Sequence, residues 1–282
     1  MPVFHTQKAL QIETKIALNQ SKKIGFVPTM GALHQGHLSL LEESLSENEI
    51  TVLSIFVNPT QFNNADDLKK YPRTLEKDVA LVKKLNKNIL IYAPCVTDIY
   101  EGHTISASFD YDGLENQMEG KHRPGHFDGV GTIVKKLFDI VKPTNAYFGE
   151  KDFQQLQIIR KLVAKHKIPV NVIACEIYRE TSGLAMSSRN ERLSEKARKE
   201  SKLIYKILLQ AKDKFMVKSA QEVTQFVERE FKKHKNFTLE YFDIADEETL
   251  LTCKRKIKSK NYRGFIAVFI ENIRLIDNIS LK

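Results

Sequence analysis

A chain of 282 residues is long enough for two ordinary domains, because single domains usually contain about 100–200 residues. Hydrophobic residues make up 42% of the sequence and charged residues 28%, a balance typical of a globular protein, and no stretch approaches the ~20 consecutive apolar residues of a membrane helix. The net charge of +9 is moderate, so we expect late lysines such as Lys254, Lys256 and Lys258 to form a solvated basic face, with attraction of a polyanion as the alternative.

The N-terminus and the cysteines indicate the compartment. The first twenty residues mix charged residues such as Lys8 and Glu13 into apolar positions, so they contain no signal-peptide core. Cys95, Cys175 and Cys253 are far apart and form no Cys-x-x-Cys pair, which argues against a disulfide framework and against a zinc site. We therefore expect a cytoplasmic protein with no membrane partner.

Short apolar runs alternate with amphipathic stretches from residue 22 to residue 174. Five runs predict strands buried on both faces, because their apolar positions are continuous: 24–27, 50–57, 89–92, 146–148 and 170–174. Between them, residues such as Leu75, Val79 and Val82 recur at helical spacing. The pattern predicts an α/β domain over residues 1–178, with a Rossmann-like, doubly wound parallel sheet.

The pattern changes after Arg179. Apolar residues repeat every three or four positions over 197–215 and again over 220–231, which predicts two amphipathic helices. Strand-like runs follow at 239–244 and 265–270. We expect a second, smaller α+β domain over residues 179–282.

The loop after the first predicted strand contains two glycines and two histidines. Gly31 and Gly36 let the backbone approach a ligand, and the helix that follows offers amide N–H groups and a positive dipole end, which favour a phosphate. His34 and His37 are three residues apart, so both imidazoles can reach one phosphate chain. Incidental histidines in a turn and a zinc site are the alternatives, although no third zinc ligand lies nearby in the sequence.

Two later segments can supply positive charge to a nucleotide. Lys151 lies directly after the strand at 146–148, and Arg189 lies just past the last strand, next to Ser187 and Ser188. These side chains suit neutralisation of a triphosphate that reacts at its α-phosphorus, while an ordinary loop or helix N-cap is the alternative for Ser-Ser-Arg. With the His-x-Gly-His sequence, they resemble the nucleotidylyltransferase superfamily, whose members transfer AMP or related groups.

Five blocks narrow this resemblance to one family. They are 56–62 (Phe-Val-Asn-Pro-Thr-Gln-Phe), 71–74 (Tyr-Pro-Arg-Thr), 120–127 (Gly-Lys-His-Arg-Pro-Gly-His-Phe), 148–156 (Phe-Gly-Glu-Lys-Asp-Phe-Gln-Gln-Leu) and 183–190 (Gly-Leu-Ala-Met-Ser-Ser-Arg-Asn). In this order and spacing, from about residue 22 to residue 193, the sequence is similar to the pantoate–β-alanine ligases, also called pantothenate synthetases.

The resemblance implies a two-step reaction. The carboxylate of (R)-pantoate attacks the α-phosphate of Mg-ATP to give pantoyl-adenylate and pyrophosphate, and the amine of β-alanine then attacks the adenylate to give pantothenate and AMP. It also implies Mg²⁺ with the ATP, a homodimer and a lid function for the C-terminal domain, with no nucleic-acid partner.

The resemblance also assigns site residues. The catalytic set is His37, as the proton donor, with His34, Lys151, Ser187 and Arg189. Asn58, Gln61 and Gln155 match pantoate contacts, and Gln61 also matches a contact with β-alanine; amide side chains suit a diol acid because each offers a donor and an acceptor. The wider ATP-binding set is Met30, Gly31, Ala32, Leu33, His34, Gln35, Gly36, His37, Gly149, Glu150, Lys151, Asp152, Tyr178, Met186, Ser187, Ser188 and Arg189.

Several positions stay open. No metal ligand is assigned: Asp78 is either a helix charge or a ligand of Mg²⁺ through water, and Arg123 is a candidate for an anion contact. The sequence departs from the family at Ser182, where an acidic residue is common. It also lacks the usual Gly-Asp turn before the motif Arg274-Leu275-Ile276-Asp277-Asn278.

Two other functions remain at this point. One is a nucleotidylyltransferase that acts on another small acid or on a phosphate ester. The other is a non-catalytic nucleic-acid-binding protein, for which the basic charge is the only support, since no RNP-type aromatic motif and no zinc spacing is visible.

Overall fold

The computed structural model describes residues 2–282, which divide into two units. The first unit comprises the residues up to 115, residues 120–150 and residues 155–176. The second comprises residues 116–119, 151–154 and 177–282, so its main segment begins two residues before the boundary predicted from the sequence. Two short segments that precede residue 177 in the chain, one of which contains Lys151, therefore cluster with the second unit.

The first unit is built on parallel strands that alternate with helices. The strands are β1 (Val3–Phe4), β2 (Ile24–Thr29), β3 (Ile50–Ile55), β4 (Leu90–Tyr92), β5 (Asn145–Gly149) and β6 (Asn171–Cys175). The helices up to residue 166 are α1 (Gln7–Asn19), α2 (Gln35–Glu47), α3 (Ala65–Lys70), α4 (Leu75–Leu85), α5 (Val96–Tyr100), α6 (Met118–His122), α7 (His126–Val141) and α8 (Phe153–His166). Single 3₁₀ turns occupy Pro59–Gln61, Leu114–Asn116 and Glu150–Asp152.

The sheet has the order β1-β4-β3-β2-β5-β6, and every pair within it is parallel. Phe26 and Val27 on β2, Leu53 on β3 and Ile91 on β4 are fully buried, because helices cover both faces of a doubly wound sheet and its central strands must be apolar on both sides. The predicted α/β class is confirmed. β1 was not predicted, since two residues are too short to produce a periodic pattern.

The second unit combines helices with an antiparallel sheet. Its elements are α9 (Glu195–Glu200), α10 (Lys202–Val217), α11 (Ala220–Lys232), β7 (Phe237–Asp246), β8 (Tyr262–Ile270) and β9 (Ile273–Ser280), with a 3₁₀ turn at Ser188–Arg192. The strands pair in the order β7-β8-β9. Leu208 on α10 and Val227 on α11 share a buried cluster with Val268 and Leu275 on the sheet. The predicted α+β character of this region is confirmed.

Two details of the second unit differ from the sequence-based expectation. The single helix predicted over 197–215 is divided at Ser201, whose buried hydroxyl donates to the carbonyl oxygen of Ala197 at 2.8 Å. The third strand, β9, was not predicted, because charged residues interrupt its apolar pattern. No helix within residues 2–282 combines the length and the apolar character that a membrane crossing requires.

The helical layer of the second unit can be tested at Val227, which is completely buried. Val227→Ala removes two methyl groups worth about 0.8 kcal/mol each and leaves a small cavity, so we expect the free energy of unfolding to fall by about 2 kcal/mol. Urea denaturation followed by circular dichroism measures this change. A loss below about 0.5 kcal/mol, the usual size of a surface effect, would contradict the packing described here.

Candidate active site

The order of strands places a ligand-binding edge next to β2. The chain proceeds from β2 to β3 and β4 on one side, and β5 and β6 lie on the other side, so the strand order reverses between β2 and β5. In doubly wound sheets, ligands bind outside the carboxyl ends of the strands at such a point. β2 ends at Thr29 and β5 at Gly149. The glycine loop and the segment that begins with Gly149 and Glu150 therefore follow the two strands that flank the reversal.

The glycine loop after β2 adopts a left-handed backbone at two consecutive residues. Gly31 has φ +84° and Ala32 has φ +51°. A Cβ atom on residue 31 would lie 3.0 Å from Cγ2 of Ile55 and 3.1 Å from Oδ2 of Asp78, so both the conformation and the space favour glycine there. The Thr29 hydroxyl accepts a hydrogen bond from the N–H of Gly31 at 3.2 Å.

Asp78 anchors this loop from α4. Its carboxylate accepts hydrogen bonds from the N–H of Ala32 at 3.0 Å and of Leu33 at 2.8 Å, and Thr74 donates its hydroxyl to the same group. The side chain is buried, and hydrogen bonds to an ionised acceptor are stronger than neutral ones. The two interpretations of Asp78 from the sequence were a helix charge and a metal ligand, and neither anticipated this contact with the loop backbone.

His34 and His37 stack at the N-terminus of α2. His34 is the N-cap residue, and its carbonyl oxygen accepts the N–H groups of His37 at 2.8 Å and of Leu38 at 3.1 Å. The backbone N–H of His34 donates to Nδ1 of His37 at 3.3 Å, so Nδ1 is the acceptor and the neutral ring carries its proton on Nε2. The ring centroids are 4.0 Å apart. The pair therefore lies where helix amides and the dipole favour an anion.

Asn58 is the N-cap of the 3₁₀ turn after β3, and Gln61 is the last residue of that turn. Nδ2 of Asn58 donates to Oε1 of Gln61 at 3.2 Å and to the carbonyl oxygen of Gly129 at 3.1 Å. Oδ1 of Asn58 accepts hydroxyl protons from Tyr100 at 2.5 Å and from Thr60 at 3.2 Å. Burial raises the pKa of Tyr100, so its hydroxyl stays protonated and fixes the orientation of the amide. Asn58 is only 1% exposed, and its hydrogen bond to Oε1 orients the side chain of Gln61.

Gln61 links this turn to the glycine loop. Its Nε2 donates to Sδ of Met30 at 3.0 Å, which brings two of the predicted site segments together within the first unit. A thioether sulfur is a weak acceptor, so this hydrogen bond is easily exchanged for a stronger one.

Three residues that support Gln61 were not recognised from the sequence in this function. A Cβ atom on Gly129 would lie 2.3 Å from the carbonyl oxygen of Thr60 and 2.7 Å from Cα of Gln61, so α7 can approach the turn only with glycine at this position. Nδ1 of His126 lies 2.8 Å from the carbonyl oxygen of Gln61 and must donate, since a carbonyl oxygen only accepts. Arg123 donates to the same oxygen at 3.4 Å, and its candidate contact with an anion stays a prediction.

The second unit holds Lys151, Asp152, Tyr178 and residues 186–189 of the predicted site, whereas Gly149, Glu150 and Gln155 belong to the first unit. Lys151 and Asp152 form an ion pair with a separation of 3.6 Å between Nζ and Oδ1. Ser187 is the N-cap of the 3₁₀ turn at Ser188–Arg192, and its hydroxyl oxygen accepts the N–H of Arg189 at 3.3 Å. Tyr178 is partly exposed, and its carbonyl oxygen accepts the N–H of Met186 at 3.0 Å.

The base of the loop at 186–189 is a short hairpin. Arg179 and Ala185 form an antiparallel bridge, and Asn190 donates its amide to Glu180 at 3.0 Å and to the carbonyl oxygen of Ala185 at 3.1 Å. Ser182 stands where an acidic residue is common in the family. Its hydroxyl oxygen accepts the N–H of Leu184 at 3.4 Å, a hydrogen bond that supports the turn of the hairpin.

No group of three or more His, Cys, Asp or Glu side chains that could hold a metal ion is found in the part of the chain from residue 2 to residue 282. Mg²⁺ commonly binds through substrate phosphates and one or two carboxylates, and a cage made by the protein alone is not its usual site.

The whole chain is similar to proteins of one family. A family model described as Pantoate-beta-alanine ligase matches residues 2–280. The chain is 66% identical to the pantothenate synthetase of Flavobacterium psychrophilum and 51% identical to that of Christiangramia forsetii, in each case over 282 residues that cover 100% of both chains.

The fold is also similar to solved structures of this family. The crystal structure of pantothenate synthetase from Thermus thermophilus has a TM-score of 0.90 and 38% identity and covers 100% of this chain and 99% of its own. The crystal structure of pantoate-beta-alanine ligase from Francisella tularensis, complexed with beta-gamma ATP and beta-alanine, has a TM-score of 0.82 and 37% identity and covers 100% and 98%.

Replacing a glycine inside a helix by alanine normally stabilises a protein, but the close approach of α7 to the turn at 59–61 is expected to reverse this effect at Gly129. Helix propensity alone predicts that Gly129→Ala stabilises the protein by about 0.5–1 kcal/mol. Because the new methyl group meets the backbone of Thr60 and Gln61, we expect a net loss of about 1–3 kcal/mol instead. Gly149→Ala, where no atom lies within 4 Å of the added Cβ, is the control. Urea denaturation of both variants decides the sign, and a more stable Gly129→Ala protein would contradict the geometry.

Proposed function

Because the chain belongs to the pantoate-beta-alanine ligase family, we propose that it condenses (R)-pantoate with β-alanine at the expense of ATP. The observation that carries the proposal is the match of the family model to residues 2–280. The stacked histidines at the N-terminus of α2 add physical support, because they form an anion site next to the strand reversal. A nucleotidylyltransferase that acts on another acid or on a phosphate ester is not favoured by full-length similarity to pantothenate synthetases.

The proposed reaction proceeds through pantoyl-adenylate. The pantoate carboxylate forms a bond to the α-phosphorus of ATP, and the bond from that phosphorus to the bridging oxygen breaks as pyrophosphate leaves. The amine of β-alanine then forms a bond to the acyl carbon, loses a proton and displaces AMP. Neither step needs a protein nucleophile, so catalysis consists of positioning and of electrostatic stabilisation of the phosphate charge.

We assign His37 to the α-phosphate as a hydrogen-bond donor. The hydrogen bond from the backbone of His34 occupies Nδ1, so the neutral ring presents N–H from Nε2. The sequence-based prediction was a proton donor; the tautomer favours a neutral donor that stabilises developing charge without giving up its proton. The ring of His34 lies against this ring at an interplanar angle of 33°.

We assign Gln61 to pantoate and β-alanine, and Gln155 to pantoate. Gln61 is oriented by Asn58 and exchanges its weak bond to the Met30 sulfur for an oxygen of the substrate. Because Asn58 is buried and bonded on both ends of its amide, its contribution to pantoate binding acts through Gln61. Gln155 lies half-buried in the first turn of α8.

We assign Lys151, Ser187 and Arg189 to the triphosphate. The two cations offset its negative charge as pyrophosphate departs, and the hydroxyl donates to a phosphate oxygen. The remaining ATP contacts are proposed at the backbone of Tyr178 and at residues 30–37, 149–152 and 186–189. The ATP enters as its Mg²⁺ complex, a proposal supported by the preference of this ion for substrate phosphates. Family resemblance supports a homodimer and the cytoplasm.

Turnover with defined substrates tests the function. The purified protein is expected to catalyse ATP–pyrophosphate exchange only when (R)-pantoate is present, and to form AMP and pantothenate in equal amounts when β-alanine is added. Exchange is measured with labelled pyrophosphate and the products by liquid chromatography. Exchange that is stimulated by other small acids but not by pantoate would refute the assignment.

The tautomer of His37 can be tested by substitution. We expect His37→Ala to slow adenylate formation by about 10²–10³-fold, the usual effect of losing one preorganised donor. His37→Gln is expected to recover a measurable part of that loss, since its amide N–H can replace Nε2–H without any acid group. Single-turnover formation of adenylate measures both variants. If glutamine is no better than alanine, a proton donor rather than a neutral hydrogen-bond donor is required.

A further inference from the structure

The motif Arg274-Leu275-Ile276-Asp277-Asn278 lies on β9 and has no function assigned to it so far. Asp277 and Asn278 are polar but almost completely buried, at 4% and 2% exposure. Burying such groups is unfavourable unless they are bonded, so their partners show what the motif holds. The hydrogen-bond partners of the motif's polar side chains belong to the second unit.

Asp277 binds the base of the hairpin that leads into the loop at 186–189. Its two carboxylate oxygens accept a bidentate pair from Arg179 at 2.7 and 2.9 Å. The same guanidinium donates to the carbonyl oxygen of Gly183 at 3.0 Å and lies 3.8 Å from the centre of the Tyr205 ring. Arg179 is therefore fixed in plane and direction, and with it both strands of the hairpin.

Asn278 binds the main chain of Lys151. Its Nδ2 donates to the carbonyl oxygen of Lys151 at 2.9 Å, while its Oδ1 accepts from Arg263 at 2.6 Å. Because Arg263 can only donate, the amide cannot turn around, and Nδ2 must face Lys151. Arg263 is itself held by Glu247 at 3.0 Å and by the Phe153 ring, whose centre is 4.0 Å from its guanidinium carbon.

Arg274, at the start of the motif, adds a third attachment. It donates to the two carboxylate oxygens of Glu119 at 2.7 and 2.8 Å, and the backbone N–H of Glu119 donates to the side chain of Gln154 at 2.9 Å. Gln154 is three residues from Lys151 and is almost fully buried. The motif thus holds the 151–154 segment at both of its ends.

We propose that Asp277 and Asn278 are positioning residues that set the spacing between Lys151 and the loop at 186–189. Consecutive Cα atoms are about 3.8 Å apart, so two adjacent residues of a paired strand fix their two partners relative to each other. β9 pairs with β8 at Ile266 and Phe265 opposite these residues, which keeps the support rigid. The inference rests on the proposed function, because it matters only if Lys151 and the loop act on one nucleotide.

The competing explanation is that these residues only hold the second unit together. The test therefore needs a measurement that loss of stability alone does not change. Lys151 and Arg189 are proposed to act on the triphosphate, so mispositioning them slows adenylate formation. Attack of β-alanine on preformed pantoyl-adenylate occurs after pyrophosphate has left and needs their spacing less.

The decisive variant is Asn278→Asp, which is nearly isosteric. It keeps an acceptor for Arg263 but turns a carboxylate oxygen towards the Lys151 carbonyl oxygen, so the hydrogen bond becomes a repulsion. We expect adenylate formation to slow by about tenfold or more, on the scale of a small misplacement of a catalytic group. We expect the rate of pantothenate formation from synthetic pantoyl-adenylate to change by less than about twofold, because this step does not depend on the spacing between Lys151 and the loop.

Val227→Ala is the matched control, because it destabilises the same unit without a polar contact to Lys151 or Arg179. When its melting temperature falls as much as that of Asn278→Asp, Val227→Ala is expected to retain the normal rates of both half-reactions. Equal losses in both half-reactions of Asn278→Asp, or the same selective loss in Val227→Ala, would overturn the inference.

The experiment also distinguishes a variant that fails to fold from a failure of the proposed function. If Asn278→Asp does not fold, Asn278→Ser provides the same comparison, since its hydroxyl is too short to reach the Lys151 carbonyl oxygen; normal adenylate formation in that variant refutes the inference. Absence of pantoate-dependent exchange in the unmodified protein would refute the proposed function instead, and the variants would not be needed to show it.

Discussion

The hydrogen bonds from the N–H groups of Ala32 and Leu33 to the carboxylate of Asp78 are the contact on which the site in the first unit depends. A left-handed backbone at Ala32 is unfavourable for a residue with a side chain, and two bonds to an ionised acceptor offset that cost. The loop conformation in turn makes His34 the N-cap of α2. The proposed anion site at the N-terminus of α2 thus depends on a carboxylate that accepts hydrogen bonds from the loop backbone.

The same loop contacts the turn at 59–61 through the hydrogen bond from Gln61 to Met30. The position of this turn depends on how closely α7 can approach it. Gly129 lets α7 approach the backbone of Thr60, while His126 donates to the carbonyl oxygen of Gln61. Asn58 then fixes the side chain of Gln61. These contacts form a bonded network in which each member restricts the next, and such networks specify one arrangement when all their polar groups are satisfied. Gln61 is consequently held in position before any ligand arrives.

The sequence predicted the strands β2 to β6 of the parallel sheet, because continuous apolar runs are local signals, and the His-x-Gly-His turn is a local signal for the proposed site. It did not predict the supporting contacts. Asp78 is 46 residues from Ala32, and Gly129 is 71 residues from Asn58, so no local pattern contains them. β9 was missed for a related reason: Asp277 is charged and looks exposed, but pairing with Arg179 makes its burial possible.

The supporting contacts share a feature that bears on how a ligand displaces them. Lys151 is fixed through its carbonyl oxygen, whereas its ammonium group forms a partly exposed ion pair with Asp152 at 3.6 Å, and exposed pairs contribute little. Gln61 is fixed through its carbonyl oxygen and Oε1, whereas its Nε2 donates to sulfur. In both residues the strong partners hold the atoms that set position, and the weak partner occupies the atom assigned to the substrate. Binding then costs little in lost protein contacts, while the geometry for the reaction is already in place.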